Sequence, residues 1–161
     1  MFHDSRVKQQ IESPEILLIE DNLGDKRLFE EALKESASKA RLTVISNGIE
    51  AMQFLQKNDP FSDVTLPDLI FLDLNLPKKD GRIVLKEIKN DPNLRKIPVI
   101  ILTISKAEDD IFYCYNEHAN CYIIKPFEID ILMQSIKAVM HFWFHIVTLS
   151  PKKEQIHGRN N

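Results

Sequence analysis

The sequence predicts an α/β protein in which helices cover both faces of a five-stranded parallel sheet. Five short apolar segments recur at intervals of a few tens of residues, and the stretches between them carry apolar residues at helical spacing. The chain has 161 residues, 43% of them hydrophobic, which is sufficient for the core of one compact domain. Because neighbouring parallel strands need a crossover connection, this alternation of strands and helices indicates a parallel sheet.

The predicted strands are continuous runs rich in Ile, Leu and Val, as expected for strands buried on both faces. They are segments 16–19, 42–45, 69–72, 99–102 and 122–124. The four stretches that separate them predict amphipathic helices. In chain order, their apolar stripes are Leu28, Phe29, Ala32 and Leu33; Ile49, Met52, Phe54 and Leu55; Val84, Leu85 and Ile88; and Ile111, Cys114, Tyr115 and His118.

The last predicted helix begins near Glu128 and continues almost to Pro151. Its apolar residues form two lines, which is more than one docking face needs, so the helix fits either a deep groove or a dimer surface. The first line contains Ile129, Leu132, Met133, Ile136, Met140, Trp143, Phe144 and Val147, and the second contains Ile131, Val139, Phe142 and Ile146.

The domain boundaries follow from where this periodicity starts and stops. Residues 1–14 are polar and lack a sustained period, so they are predicted to be an N-terminal extension. Residues 15–149 form the predicted domain, with an exposed loop at 57–67, and residues 150–161 are predicted to be a disordered basic tail.

The composition excludes several classes of protein. The chain has 21 Lys+Arg against 24 Asp+Glu, a net charge of -3, so no general attraction to nucleic acid or to an anionic membrane is expected. Its two cysteines are too few for a disulfide scaffold, and no apolar stretch approaches the ~20 residues that span a bilayer. A cytoplasmic location is expected.

Charged and hydroxyl side chains follow four of the five predicted strands. Glu20 and Asp21 follow the first strand, Asp73 the third, Thr103 the fourth and Lys125 the fifth. Because the carboxyl ends of parallel strands share one edge of a sheet, these side chains should converge. Each residue alone has an ordinary explanation, such as a helix cap or strand propensity. Their coincidence at four strand ends favours a functional site.

Three carboxylates in one cleft repel one another, and a hard divalent cation would relieve this conflict. Mg²⁺ prefers such oxygen ligands. Lys125 and Thr103 could then stabilise a phosphoryl group at an Asp73 oxygen, because phosphoryl transfer depends mainly on alignment and charge neutralisation. A carboxylate nucleophile that forms an aspartyl phosphate is known chemistry.

The motifs at these strand ends, taken together, resemble the receiver domain of two-component response regulators. They are ILLIEDN at 16–22, LIFLDLNLP at 69–77 followed by Asp80 and Gly81, IILT at 100–103 and CYIIKPF at 121–127. The resemblance covers roughly residues 15–145. It implies a flavodoxin-like (CheY-like) fold with strand order 2-1-3-4-5, for which the chemotaxis receiver CheY is a reference case.

The resemblance also implies a role for each acidic residue. Asp73 would accept the phosphoryl group from a histidine kinase. Asp21 and Asp73 would hold Mg²⁺, with Glu20 acting largely through water and Asn75 contributing its backbone carbonyl. The protein would then be a switch rather than an enzyme.

By the same resemblance, Lys125 and Thr103 would contact the phosphoryl oxygens. Tyr122 matches the aromatic switch residue, whose ring turns inward when Thr103 moves. The Lys125–Pro126 bond resembles the family's cis peptide. Ile104 departs from the family, because many receivers have a small residue directly after the threonine.

A narrower resemblance points to the stand-alone receivers paired with bacterial phytochrome kinases. It is carried by Asp25-Lys26-Arg27-Leu28 after Gly24, by the long loop before the third strand and by aromatic residues of the final helix at 142–144. This likeness implies a light-sensing histidine kinase as phosphodonor and a homodimer built on the last helix, with no direct contact to nucleic acid or membrane.

Other functions compete with this one. A phosphatase that forms an aspartyl intermediate needs an acid two residues after the nucleophile, where this chain has Asn75. A flavin carrier needs phosphate-binding donors after the first strand, whereas this chain has an acidic segment there. A receiver used only as an unphosphorylated interaction module stays open. A zinc site at His141 and His145 lacks a third ligand, and the two cysteines are not spaced as a redox pair.

Overall fold

The computed structural model describes residues 13–36 and 38–152. It confirms the predicted fold: one five-stranded parallel sheet with strand order β2-β1-β3-β4-β5. Residues 1–12 and 153–161 lie outside the described residues, so most of the predicted extension and most of the predicted tail stay predictions. The strands are β1 Glu15–Ile19, β2 Arg41–Ile45, β3 Leu69–Leu72, β4 Val99–Thr103 and β5 Cys121–Ile124.

Within the described part of the chain, one α-helix follows each of the five strands. Asn22, Asn47 and Asp80 are the N-cap residues directly before the first three helices, and the side chain of each accepts a hydrogen bond from a backbone N–H of the first turn. The helices are α1 Leu23–Glu35, α2 Gly48–Leu55, α3 Gly81–Asn90, α4 Glu108–Asn116 and α5 Ile129–His141.

The sheet separates two hydrophobic layers, because successive residues of a strand point to opposite faces. In β1, Leu17 and Ile19 pack with the layer formed by α2, α3 and α4. Ile16 and Leu18 pack with the opposite layer, formed by α1 and α5. All four residues are nearly inaccessible to solvent, so the sheet is buried on both faces.

The strand register brings the carboxyl ends of the strands together. Ile19 pairs with Leu72, and Leu72 pairs with Ile101. Beyond these pairs, the Asp73 N–H donates to the Ile19 carbonyl at 3.0 Å, and the Lys125 N–H donates to the Thr103 carbonyl at 2.7 Å. The residues that follow β1, β3 and β5 therefore lie at one edge of the sheet.

The C-terminal helix is shorter than predicted. α5 ends at His141, and one π-helical turn, Phe142–Ile146, continues it. Val147 is extended, with φ -95° and ψ 160°, so the helix does not reach Pro151. The wider turn changes the residue spacing, and a stripe at α-helical spacing no longer stays on one face.

The predicted division of the last helix into apolar lines is partly wrong. Leu132, Ile136 and Met140 of the first line are buried, as predicted, but Ile129 is exposed. Val139 of the second line packs against the core, whereas the other members of that line are exposed: Ile131, Phe142 and Ile146. The helix therefore has one docked face and an outer surface with several uncovered apolar residues.

The 57–67 segment is a loop, as predicted, but it is not uniformly exposed. Phe61, Val64 and Leu66 pack against the core layer below α2, and the Phe61 ring meets Phe54 edge-on at 5.4 Å between centroids. Among the described residues, no helix is long and apolar enough to traverse a bilayer.

Candidate functional site

Three carboxylates meet where β1 and β3 end. Glu20 is 1% exposed and Asp73 is 7% exposed, whereas Asp21 is exposed to solvent. One oxygen from each of the three lies within 4.8 Å of the others. We call Glu20, Asp21 and Asp73 the acidic cluster; it is the convergence that the strand ends predict.

Lys125 extends from the end of β5 into this cluster. Its Nζ donates to Glu20 Oε2 at 2.7 Å, to Asp25 Oδ2 at 2.8 Å and to Asp73 Oδ2 at 3.1 Å. The lysine side chain is only 6% exposed. An ammonium has three N–H donors, so carboxylate contacts can use all of them.

Burial and charge act against each other at these groups. Burial raises the pKa of Glu20 to about 7, with a further rise from Asp73 that only partly offsets the lowering by Lys125. Burial lowers the pKa of Lys125, but hydrogen bonds to Asp25 and Glu20 outweigh this effect, and the pKa lies above its ordinary value. Lys125 therefore remains charged, whereas the raised pKa leaves Glu20 only partly ionised near neutral pH.

Backbone groups fix the orientation of the two buried carboxylates. The Asn75 N–H donates to Asp73 Oδ1 at 3.1 Å, and the Asn22 N–H donates to Glu20 Oε1 at 3.0 Å. Gly81 allows α3 to pack directly against this segment, because a Cβ there would lie 2.1 Å from the Asp73 carbonyl oxygen. Each carboxylate thus has one oxygen bonded to backbone and one bonded to Lys125.

Thr103 and Tyr122 lie on the side of the site next to α4. Thr103 is fully buried, and its hydroxyl oxygen accepts a 3.4 Å hydrogen bond from the Ser105 N–H. The Tyr122 hydroxyl donates to the Ser105 carbonyl at 3.0 Å, and its half-buried ring packs against the core. Ser105 therefore connects the two residues in this structure.

The structure differs from one expectation at this site. Among the described residues, the cis peptide bond is Asp59–Pro60, and Lys125–Pro126 is not cis. The lysine is directed instead by its three carboxylate partners and by the pairing of its N–H with Thr103.

Asp25, Asn22 and Ser105 contact the predicted site residues, and the sequence pattern assigned no role to any of them. The signal for Asp25 was present, because it lies in the first turn of the helix that follows the acidic segment. A first-turn acidic residue is usually explained by the helix macrodipole. Its contact with Lys125, 100 residues away, is a tertiary feature.

The donor set fits a hard divalent cation. The acidic cluster offers only carboxylate oxygens, and the four carboxylates of the cluster and Asp25 share one ammonium, which contacts Glu20, Asp25 and Asp73 but not Asp21. One positive charge leaves these groups with an excess of negative charge. Mg²⁺ and Mn²⁺ bind carboxylate oxygens of this kind. Such an ion keeps several water ligands where the site is open to solvent, as it is at the exposed Asp21.

Comparisons with known proteins agree with this geometry. Residues 16–137 match the family described as response regulator receiver domain. The response regulator Rcp1 of Synechocystis sp. is 46% identical over 134 residues, which cover 83% of this chain and 91% of Rcp1.

Solved structures of response regulators are also similar to this chain. The phosphorylated cyanobacterial phytochrome response regulator RcpA superposes with a TM-score of 0.84 at 46% identity, covering 86% of this chain and 99% of RcpA. The Mn²⁺-bound form of Rcp1 superposes with a TM-score of 0.83 at 44% identity, with the same coverage of both chains. The chain therefore belongs to the response regulator receiver domain family, and its relatives include response regulators associated with phytochromes.

Proposed function

We propose that residues 15–149 form the single receiver domain of a two-component phosphorelay and that Asp73 accepts a phosphoryl group from a histidine kinase. The observation that supports this proposal most directly is the buried Asp73 carboxylate, which lies within the acidic cluster and 3.1 Å from the Lys125 ammonium. A carboxylate beside a fixed positive charge is suited to bind and neutralise a transferred phosphoryl group.

The reaction exchanges one bond to phosphorus for another. An Asp73 carboxylate oxygen forms the new O–P bond while the N–P bond of the phosphohistidine breaks, and the imidazole nitrogen keeps the bonding electron pair. The Asn75 N–H holds Oδ1 of Asp73, which orients the carboxylate. Lys125 neutralises charge on the phosphoryl oxygens.

The residues proposed to hold Mg²⁺ are Glu20, Asp21, Asp73 and the backbone carbonyl of Asn75. When bound, the ion supplies charge neutralisation at the phosphoryl oxygens. The oxygen-only donor set supports this assignment, and the Mn²⁺-bound form of the relative Rcp1 is consistent with it.

Thr103 and Tyr122 are proposed to transmit phosphorylation to the surface beside α4 and β5. Thr103 hydrogen-bonds to a phosphoryl oxygen, which withdraws its hydroxyl from the Ser105 N–H. Because Ser105 also accepts the Tyr122 hydrogen bond, a shift of this loop frees the ring. Such a switch has two packed arrangements whose populations depend on one local charge.

Phosphate incorporation tests this function. Incubation with acetyl phosphate and Mg²⁺ should increase the intact mass by one phosphoryl group, and Asp73→Asn should abolish the increase while preserving the fold, because the side-chain volume hardly changes. Equal labelling of wild type and Asp73→Asn would reject Asp73 as the acceptor. Absence of labelling in the wild type, with Mg²⁺ still bound, would favour an interaction module instead.

The proposed phosphodonor is a phytochrome-type histidine kinase, supported by the relative RcpA, which is a cyanobacterial phytochrome response regulator. We also propose a homodimer through the outer surface of α5 and the π-helical turn. Ile131 is 48% exposed, Phe142 44% and Ile146 63%, and apolar side chains grouped in this way are typical of an interface.

A further inference from the structure

Lys125 has three carboxylate partners, and one of them does not belong to the acidic cluster. Glu20 and Asp73 are cluster members, whereas Asp25 contacts the ammonium from the first turn of α1. The contact with Asp25 measures 2.8 Å, shorter than the 3.1 Å contact with Asp73.

The position of Asp25 is set by the start of α1. Its backbone N–H donates to the Asn22 side-chain oxygen at 2.9 Å, and the Asn22 N–H in turn binds Glu20 at 3.0 Å. Asn22 therefore fixes both the helix turn that carries Asp25 and the carboxylate opposite it. The Asp25 side chain is 31% exposed, so its charge is only partly shielded by water.

A divalent ion in the acidic cluster and the Lys125 ammonium would both draw on the negative charge of Glu20 and Asp73. A dication attracts a carboxylate more strongly than an ammonium at equal distance. An ammonium that depended on cluster members alone would therefore be held less firmly once the metal is bound. Asp25 lies outside the acidic cluster, so the ion does not compete with Lys125 for this carboxylate.

We propose that Asp25 is a positioning residue that keeps the Lys125 ammonium beside Asp73 while a divalent ion occupies the acidic cluster. This inference rests on the proposed function and assigns a further residue to the same reaction. Asp25 acts through Lys125 and touches neither the metal nor the phosphoryl group. One N–H of the ammonium keeps its hydrogen bond to Asp25, while another exchanges its acceptor from Asp73 to a phosphoryl oxygen, and all three protons stay on the lysine nitrogen.

The kinetic test compares phosphorylation by acetyl phosphate at Mg²⁺ concentrations that saturate each variant, as established by calorimetric titration. Asp25→Asn should slow phosphorylation roughly tenfold, in line with the loss of one charge-assisted hydrogen bond. Asp25→Glu should restore most of the rate. Glu30→Gln removes an exposed charge from the same helix and should leave the rate unchanged.

A mere role in stabilising α1 predicts a different pattern. A helix-stabilising residue would affect the rate with or without the lysine, whereas a residue that acts through Lys125 loses its effect in the Lys125→Ala background. An equal slowing by Asp25→Asn in both backgrounds would overturn the proposal, and so would a wild-type rate for Asp25→Asn.

A second readout does not depend on phosphorylation. An amine-reactive acylating reagent, followed by peptide mass mapping, reports how well Lys125 is protected. Mg²⁺ should leave Lys125 protected in the wild type and should increase its labelling severalfold in Asp25→Asn. Unchanged labelling in the variant would overturn the inference. If the wild type is never phosphorylated, the proposed function fails, while this measurement still decides the role of Asp25.

Discussion

Glu20 is the residue at which burial and charge conflict most directly. It is almost inaccessible, it lies near Asp73, and its compensating charge is a lysine shared with two other carboxylates. These surroundings raise its pKa from 4.5 to about 7. The residue therefore couples folding stability to pH and to metal binding.

We predict a pH dependence from this shift. A carboxyl with a raised folded-state pKa contributes stability that is fully present below its unfolded pKa of 4.5 and is lost as the pH rises through about 7. In EDTA, the free energy of unfolding from urea titrations should fall by on the order of 2 kcal/mol between about pH 5 and 8.

Glu20→Gln supplies the control for that measurement, because the amide cannot ionise. Its free energy of unfolding should change little over the same pH range, and Mg²⁺ should reduce the slope of the wild type by neutralising the cluster. An identical pH slope in Glu20→Gln without metal would show that other groups cause the dependence.

At the scale of elements, Asp110 joins α4 to α3 and to the loop that follows Thr103. Its carboxylate accepts from Arg82 Nε and Nη2, both at 2.7 Å, and from the Ser105 hydroxyl at 2.6 Å. Hydrogen bonds from Arg82, then from Ser105, lower the pKa of Asp110 to about 2. This contribution to stability is present above pH 3.8 and is lost as the pH falls through about 2.

We predict that Asp110→Asn lowers the free energy of unfolding by about 1–2 kcal/mol at neutral pH, because it removes a paired charge from a bidentate contact. Asp109→Asn makes the same charge change in the same helical turn at an exposed position, and its effect should stay within about 0.5 kcal/mol. Equal effects of the two substitutions in urea titrations would assign the loss to the helix macrodipole instead.

At the scale of the whole molecule, the two helical layers that cover the sheet differ at the C-terminal end of the domain. The layer of α1 and α5 carries the C-terminal turn, and this turn leaves apolar side chains uncovered at its outer surface. Burial of such an apolar surface against a second copy of the chain lowers the free energy of the system.

Sedimentation velocity tests the proposed dimer. We predict that Phe142→Lys weakens self-association at least tenfold, while the thermal midpoint stays unchanged at concentrations where both proteins are monomeric, because the side chain is already 44% exposed. Phe112→Lys on α4, where the residue is 74% exposed, should leave association unchanged. A monomeric wild type, both with and without phosphodonor, would contradict the proposal.

The sequence by itself determined the strand positions and the convergence of Glu20, Asp73 and Lys125 at one edge. Apolar runs identify buried strands, and a parallel sheet places all its strand ends on one side. These are properties of local pattern and topology, so they can be read without knowledge of side-chain packing. Even the strand order followed once the motifs were placed in a family.

The tertiary structure alone decided which side chains touch within that edge. Asp25 meets Lys125 across 100 residues, and Asp110 meets Arg82 across 28. It also decided that the last helix ends in a π-helical turn. These outcomes depend on how helices and loops pack against one another. The periodicity of apolar residues along the chain does not specify which polar groups that packing brings within hydrogen-bond distance.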